Sequence, residues 1–224
     1  MYKILTIPTD INVEKLAKKI LKNEPKIIKK YPAKGIDLTY DFDGETGLGP
    51  NSLTSRSCHF NVLDWWGTRS LRRWIRTGFE KYNKIKDKNK PLYVQCWANV
   101  MRKGERIKKH SHAIHPHTYL GGHFTVACSE TATIYVNPWD HTNENMLIQR
   151  VEQGENENNG ISVYPAKNVV GKLTLFPNFI PHFTTKHPTD EERITMAFDL
   201  TPLPAVFRED NNELPFLDSD MGKL

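Results

Sequence analysis

Residues 171–200 read GKLTLFPNFIPHFTTKHPTDEERITMAFDL, and their patterning decides the fold class. KLTLFPN (172–178) and RITMAFDL (193–200) are short runs rich in β-branched and aromatic residues, bounded by proline, glycine and polar residues, as strands are. In the second run Arg193, Thr195 and Ala197 alternate with Ile194, Met196 and Phe198. One face is therefore apolar while the other carries a guanidinium and a hydroxyl. LYVQCWANVM (92–101), YLGGHFTVAC (119–128) and TIYVNPW (133–139) continue the style upstream. Turn-bounded strands without intervening helical patterns predict an antiparallel sandwich, jelly roll or barrel. Gly121 and Gly122 are expected to mark a bulge or a close backbone approach.

Before Pro91 the character differs. KILTIPT (3–9) reads as a strand, and Val13, Leu16, Ala17, Ile20 and Leu21 then recur at helical spacing with lysines between them. Residues 31–62 hold Pro32, Gly35, Gly44, Gly47, Gly49 and Pro50, which mark turns and loop. A second helix is expected from Leu63 to Tyr82, with Leu63, Trp66, Leu71, Trp74, Ile75 and Phe79 on its packing side and Arg69, Arg72, Arg73 and Arg76 mainly elsewhere. The chain thus divides into a helical and loop region at 1–90 packing on the core, a β core at 91–200 and an extended segment at 201–224. The polar stretch from Asp140 to about Val170 is long for plain loop and is expected to be a lid or insertion.

A chain of 224 residues, 38% hydrophobic and 25% charged, buries one sizeable core and is not disordered throughout. No run reaches the roughly 18 apolar residues of a membrane helix, and MYKILTIPTD lacks the apolar core of a secretory signal, so a cytoplasmic protein is expected. Cys58, Cys96 and Cys128 are odd in number and widely spaced, which reads as buried thiols and not as a disulfide framework or zinc knuckle. Much of the +5 charge lies in runs such as KIIKK (26–30) and KIKDKNK (84–90), which form solvated faces. No RNP, zinc-finger or helix-turn-helix signature supports a nucleic-acid partner.

Chemistry concentrates in HSHAIHPHTYLGGH (110–123), which holds five of the nine histidines. In extended backbone His110 and His112 share a face, a chelating geometry. A catalytic metal wants about three protein ligands. His182, at a strand end after LTLFPNFIP, is the candidate for the third. Arg193 and Thr195, also on one face, would cradle a carboxylate, the guanidinium offering two parallel hydrogen bonds. Singly each feature is weak: His182 suits a turn, and Arg193 suits a surface pair with Glu191 or Glu192. Their order is more telling, with H-x-H, a long gap, a histidine, and R-x-T eleven residues later, all on expected strands.

WANVMRKGERIKKHSH (97–112) and residues 171–200 together resemble a family of 2-oxoglutarate and Fe(II)-dependent oxygenases. Its members carry a W-x-N strand, a glycine, H-x-H, a second glycine-containing strand, then G-x-L-x-L-F-P, a histidine and R-I-x-x-A-F. The resemblance covers about residues 92–200, and the first ninety residues lie outside it. That family is similar to prolyl hydroxylases, folds as a double-stranded β-helix (a jelly roll) and is frequent in marine bacteria and their phages. A phage-encoded protein in a host cytoplasm fits this background.

By this resemblance His110 and His182 would bind iron, and His112 would stand where the wider superfamily has the acidic member of H-x-D. Arg193 and Thr195 would hold the distal carboxylate of 2-oxoglutarate, and the reaction would couple its decarboxylation with O2 to hydroxylation of a C–H bond, with a prolyl residue of a peptide or protein favoured. Three imidazoles leave the ion's charge uncompensated and also suit zinc. Tyr119 is placed to reach the co-substrate or to pack, and Asn99, alternating with Trp97, is an amide donor toward the same mouth. His115 and His117 read as rim residues, and His123 fits a core histidine equally well. Two rival readings are a cupin-like three-histidine metalloenzyme that uses no keto acid, and a non-catalytic metal- or carboxylate-binding module.

Overall fold

The computed structural model describes residues 3–33, 47–65, 67–86, 91–113, 118–128, 130–154, 163–202 and 222–224. Trp66, His115 and His117, the middle of the expected lid and nearly all of the C-terminal segment lie outside these, as does the Cys58 side chain.

Each expected strand forms. The strands are β1 (Leu5–Pro8), β2 (Tyr93–Met101), β3 (Leu120–Ala127), β4 (Ala132–Val136), β5 (Val163–Lys167), β6 (Lys172–Pro177), β7 (His182–Thr184), β8 (Arg193–Thr201) and β9 (Gly222–Lys223), of which β5, β7 and β9 go beyond the sequence expectation. All pair antiparallel, in a six-stranded sheet ordered β1-β6-β3-β8-β2-β9 and a three-stranded sheet ordered β5-β4-β7. The molecule is therefore mainly β with flanking helices.

The alternation on β8 divides the large sheet into two faces. Ile194, Met196, Phe198 and Leu200 join the main core with Leu16 and Ile20 of α1 (Val13–Lys30) and Leu71, Ile75 and Phe79 of α2 (Arg69–Asn83). Each such side chain, fully buried, contributes roughly 1.5–3 kcal/mol. The opposite face carries Arg193, Thr195 and Asp199, all under 5% exposed, a polarity that is costly unless it serves a site. Behind the small sheet, Ile134, Val136, Val163 and Phe183 pack with Leu147 of α3 (Glu144–Glu152). Between the sheets Phe176 of β6 meets Tyr135 of β4 at a ring separation of 5.2 Å.

Local chemistry sets the ends of these elements. Asn12 caps α1, its side-chain oxygen accepting from the Lys15 amide at 2.9 Å. Glu24, buried on α1, is held by both guanidinium nitrogens of Arg102 at 3.1 and 2.8 Å, which ties the helix to the end of β2. The second helix begins later than its apolar spacing predicts. Gly67 takes φ +87°, which no α-helix tolerates, so Leu63 falls in a separate 3-10 turn (Val62–Asp64) and the helix starts at Arg69.

The stretch 140–170 is not plain loop where it is described. It contains α3 and β5, and β5 completes the small sheet against β4. At the chain's start, β1 forms an edge of the large sheet against β6. Among the described residues no helix is long and apolar enough to cross a membrane.

Candidate metal centre

His110 lies just outside the regular strands, not on one as its alternation predicts, and is fixed by an isolated bridge to the first residue of β7. Its amide donates to the His182 carbonyl at 3.0 Å, and the His182 amide returns the bond at 2.9 Å. The His112 amide donates to the Asn178 carbonyl at 2.9 Å in the turn after β6. These backbone bonds bring the three rings together, with centroid separations of 4.3 Å for His110–His182, 5.2 Å for His112–His182 and 5.5 Å for His110–His112. One nitrogen from each ring lies within 4.8 Å of the others, which is the spacing of a shared ion.

The partners of the other ring nitrogens decide which atoms are free. His110 Nδ1 sits 2.7 Å from the Lys108 carbonyl and His182 Nδ1 sits 3.1 Å from the Ile180 carbonyl. A carbonyl only accepts, so both Nδ1 atoms carry the proton and both Nε2 atoms are left with a lone pair. His112 Nδ1 donates to Asp199 Oδ1 at 2.5 Å, which leaves Nε2 as the atom that an ion would take. Burial pushes His110 down to about 4, with the neighbouring His112 adding to the effect. Burial likewise holds His182 well below the usual histidine range, reinforced by His110 and His112. At neutral pH the His110 and His182 rings are therefore uncharged donors, the form that binds a metal; at His112 burial acts in the same direction but the Asp199 carboxylate outweighs it, and the ring is raised.

Room for the centre comes from Gly121, and Gly122 does the same for Phe198 in the main core. A Cβ on Gly121 would meet the Phe176 ring at 2.9 Å and His112 Cδ2 at 3.5 Å, and one on Gly122 would lie 2.3 Å from the Phe198 ring. Close approach, one of the two expected roles, is therefore what this pair provides; the bulge falls further along β3, between Thr125 and Ala127. Trp97 and Phe176 wall the centre, 6.0 and 5.9 Å from the His112 ring.

Arg193 is 2% exposed, so the surface pair with Glu191 or Glu192 does not form. Its Nη1 donates to the soft sulfur of Met101 at 3.1 Å, its Nε has no partner, and among the described residues no carboxylate pairs with it. Burial draws its pKa down to about 10. Thr195 lies two residues along the same face, in register with Asn99 on β2. Asn99 is buried there, but its Oδ1 already accepts from Thr54 at 2.6 Å. On β3 His123 contacts the Tyr135 hydroxyl through Nε2 at 3.0 Å, while its Nδ1 is buried without a partner. Burial, the charge of Arg193 and His112 push His123 down to about 3.

Tyr119 lies elsewhere. Its phenol donates to Asn83 Oδ1 at 2.7 Å and its ring stands edge-on to Phe79, both on α2. The reading as a co-substrate contact gives way to packing, because the residue precedes β3 and turns toward the helix layer. Two residues of the centre carry no signal in the motifs: Asp199 and Tyr135. Asp199 was reachable by extending the Arg193–Thr195 alternation to the end of β8. Tyr135 depends on the β4–β7 register, which sets it opposite His182.

Comparison with known proteins gives a family match and a similar fold. Residues 95–199 match the family model described as "Putative 2OG-Fe(II) oxygenase". The fold resembles that of the epimerase SnoN from nogalamycin biosynthesis, solved with Fe3+, alpha-ketoglutarate and nogalamycin RO, at 12% identity and a TM-score of 0.52 over 95% of this chain and 87% of that one. It also resembles the non-heme monooxygenase ThoJ in its nickel complex, at 11% identity and a TM-score of 0.52 over 90% and 74% of the two chains. A Pseudomonas putida prolyl-4-hydroxylase aligns at 11% identity and a TM-score of 0.48 over 91% and 95%. No curated protein matches the chain in sequence.

The β-rich segment 95–199, just under half of the chain, thus carries the match to the 2OG-Fe(II) oxygenases, enzymes that use iron and 2-oxoglutarate. The residues present fit both groups: three convergent imidazole lone pairs suit a divalent ion, and a buried guanidinium with an orphaned Nε suits a carboxylate.

Proposed function

We propose that the protein is a non-haem Fe(II)- and 2-oxoglutarate-dependent dioxygenase that hydroxylates a C–H bond, with a prolyl residue of a peptide or protein as its substrate. The observation that carries this reading is the convergence of the three imidazole lone pairs near a buried arginine that lacks a carboxylate partner.

His110, His112 and His182 would hold the iron through Nε2. Arg193 would bind the distal carboxylate of the keto acid, with Thr195 as a second donor. His123 extends this cradle. When Tyr135 donates to its Nε2, the unpartnered Nδ1–H becomes a further donor toward the anion. Iron and 2-oxoglutarate held there would supply the oxidising chemistry, the keto acid and O2 giving succinate, CO2 and the hydroxyl oxygen. The chain's part is to orient the carboxylate, keep His110 and His182 neutral and exclude water with Trp97, Phe176 and the burial of the donors.

The prolyl assignment rests on the sequence resemblance and on aromatic surface close to the centre. Phe179, three residues before His182, is 41% exposed, and Tyr164, packed on Tyr135 at 6.5 Å, is 40% exposed. Proline-rich segments dock on such aromatic faces. The test is a proline-containing peptide library incubated with Fe(II), 2-oxoglutarate and air, scanned by mass spectrometry for gain of one oxygen. Oxygen gain confined to prolyl residues supports the reading; succinate formation stimulated only by non-peptide substrates overturns the prolyl part of it.

A further inference from the structure

Asp199 is a buried carboxylate beside the centre that none of the recognised motifs contains. It closes the alternation Arg193, Thr195, Ala197, Asp199 on the inner face of β8, and its side chain is 5% exposed. Its Oδ1 lies 2.5 Å from His112 Nδ1, and the His112 side chain is 6% exposed. It stands outside the ligand group, since the donor atoms that gather within 4.8 Å belong to the three histidines alone among the described residues.

The three rings are not held alike. His110 and His182 each donate from Nδ1 to a neutral backbone carbonyl two residues earlier, whereas His112 faces an anion. No lysine or arginine pairs with Asp199 among the described residues, so its countercharge must come through His112. A carboxylate buried in this way is expensive unless something opposite in sign answers it. A divalent ion on the far side of the imidazole does so, and a carboxylate behind a ligating histidine fixes its tautomer and raises its basicity.

We propose that Asp199 is the positioning residue and charge partner of His112, delivering through the ring the negative charge that an acidic ligand would bring by direct contact. The inference rests on the reading of His112 as a metal ligand. It explains how a three-imidazole set holds a divalent ion in a buried site: the ligands are neutral, and the compensating charge sits one shell further out.

The test measures Co(II) and Mn(II) affinity of the metal-free full chain by competition with a chelating dye, at one fixed pH, together with the Co(II) absorption spectrum. Asp199→Asn keeps the shape and an acceptor oxygen but removes the charge. The expected result is affinity lower by about 10–100-fold and an altered Co(II) spectrum, with the thermal midpoint of the metal-free protein not reduced. In a His112→Ala background, Asp199→Asn should cost no further affinity, because its effect runs through the ring. Wild-type affinity in Asp199→Asn, or an equal loss in the His112→Ala background, overturns the proposal while leaving the metal centre in place. A wild-type chain that binds neither ion overturns the centre itself and this inference with it.

Discussion

His110 and His182 exchange both of their backbone hydrogen bonds, at 3.0 and 2.9 Å, although 72 residues separate them in the chain. The pair stitches the segment after β2 to the first residue of β7 and holds two imidazoles at a centroid separation of 4.3 Å before any ion arrives. The ligands are therefore placed by main chain, and a side-chain change there alters chemistry more than fold.

His182→Ala should abolish tight metal binding while the backbone bridge survives. Affinity is expected to fall by more than the roughly 10–100-fold that loss of an outer partner costs. Dye competition on the metal-free chain, with circular dichroism to confirm the sheet, checks this; retained affinity and activity would remove His182 from the ligand set.

Arg193→Ala should separate keto-acid binding from metal binding. Losing a charge-assisted hydrogen bond in a dry site costs about 1.5–3 kcal/mol, a factor of ten or more in 2-oxoglutarate affinity. Metal affinity should largely persist. Equal keto-acid turnover in the variant would rule out the carboxylate role.

The depressed His123 predicts an acid-sensitive fold. Its pKa in the folded chain is about 3, against about 6.5 in an unfolded one, so between these values the unfolded chain binds a proton that the native state refuses. Stability therefore rises with pH across that window, by up to about 1.4 kcal/mol per unit from this group, and is lost on acidification. In urea titrations of the metal-free protein, His123→Asn should flatten the slope by one proton's worth. An unchanged slope would mean that His123 titrates normally.

Tyr119→Phe should be nearly silent. The lost hydroxyl bonds Asn83 on an exposed rim, so stability should move by no more than about 0.5 kcal/mol and the KM for 2-oxoglutarate should hold. A several-fold rise in KM would return Tyr119 to the site.

Most of the strands and the polar face of β8 were legible in the sequence because alternation reports which face a side chain takes, although both faces of β8 are buried. Gly67 hid the true start of α2, since the apolar spacing runs on across it into the 3-10 turn. Within the centre, H-x-H and the later histidine were visible as local patterns. What made them converge was not: the bridge between His110 and His182, and the registers that bring Tyr135 to His182 and Asn99 to Thr195, are long-range pairings without a local trace. The same holds for Tyr119, whose direction depends on where α2 packs.

The most direct test is succinate formation from 2-oxoglutarate by anaerobically purified protein, reconstituted with Fe(II) and then exposed to air. The account predicts succinate from the wild-type chain, at least in uncoupled turnover, and a rate at sub-saturating 2-oxoglutarate at least about ten-fold lower in Arg193→Ala. No succinate from a wild-type chain shown to hold iron would contradict it.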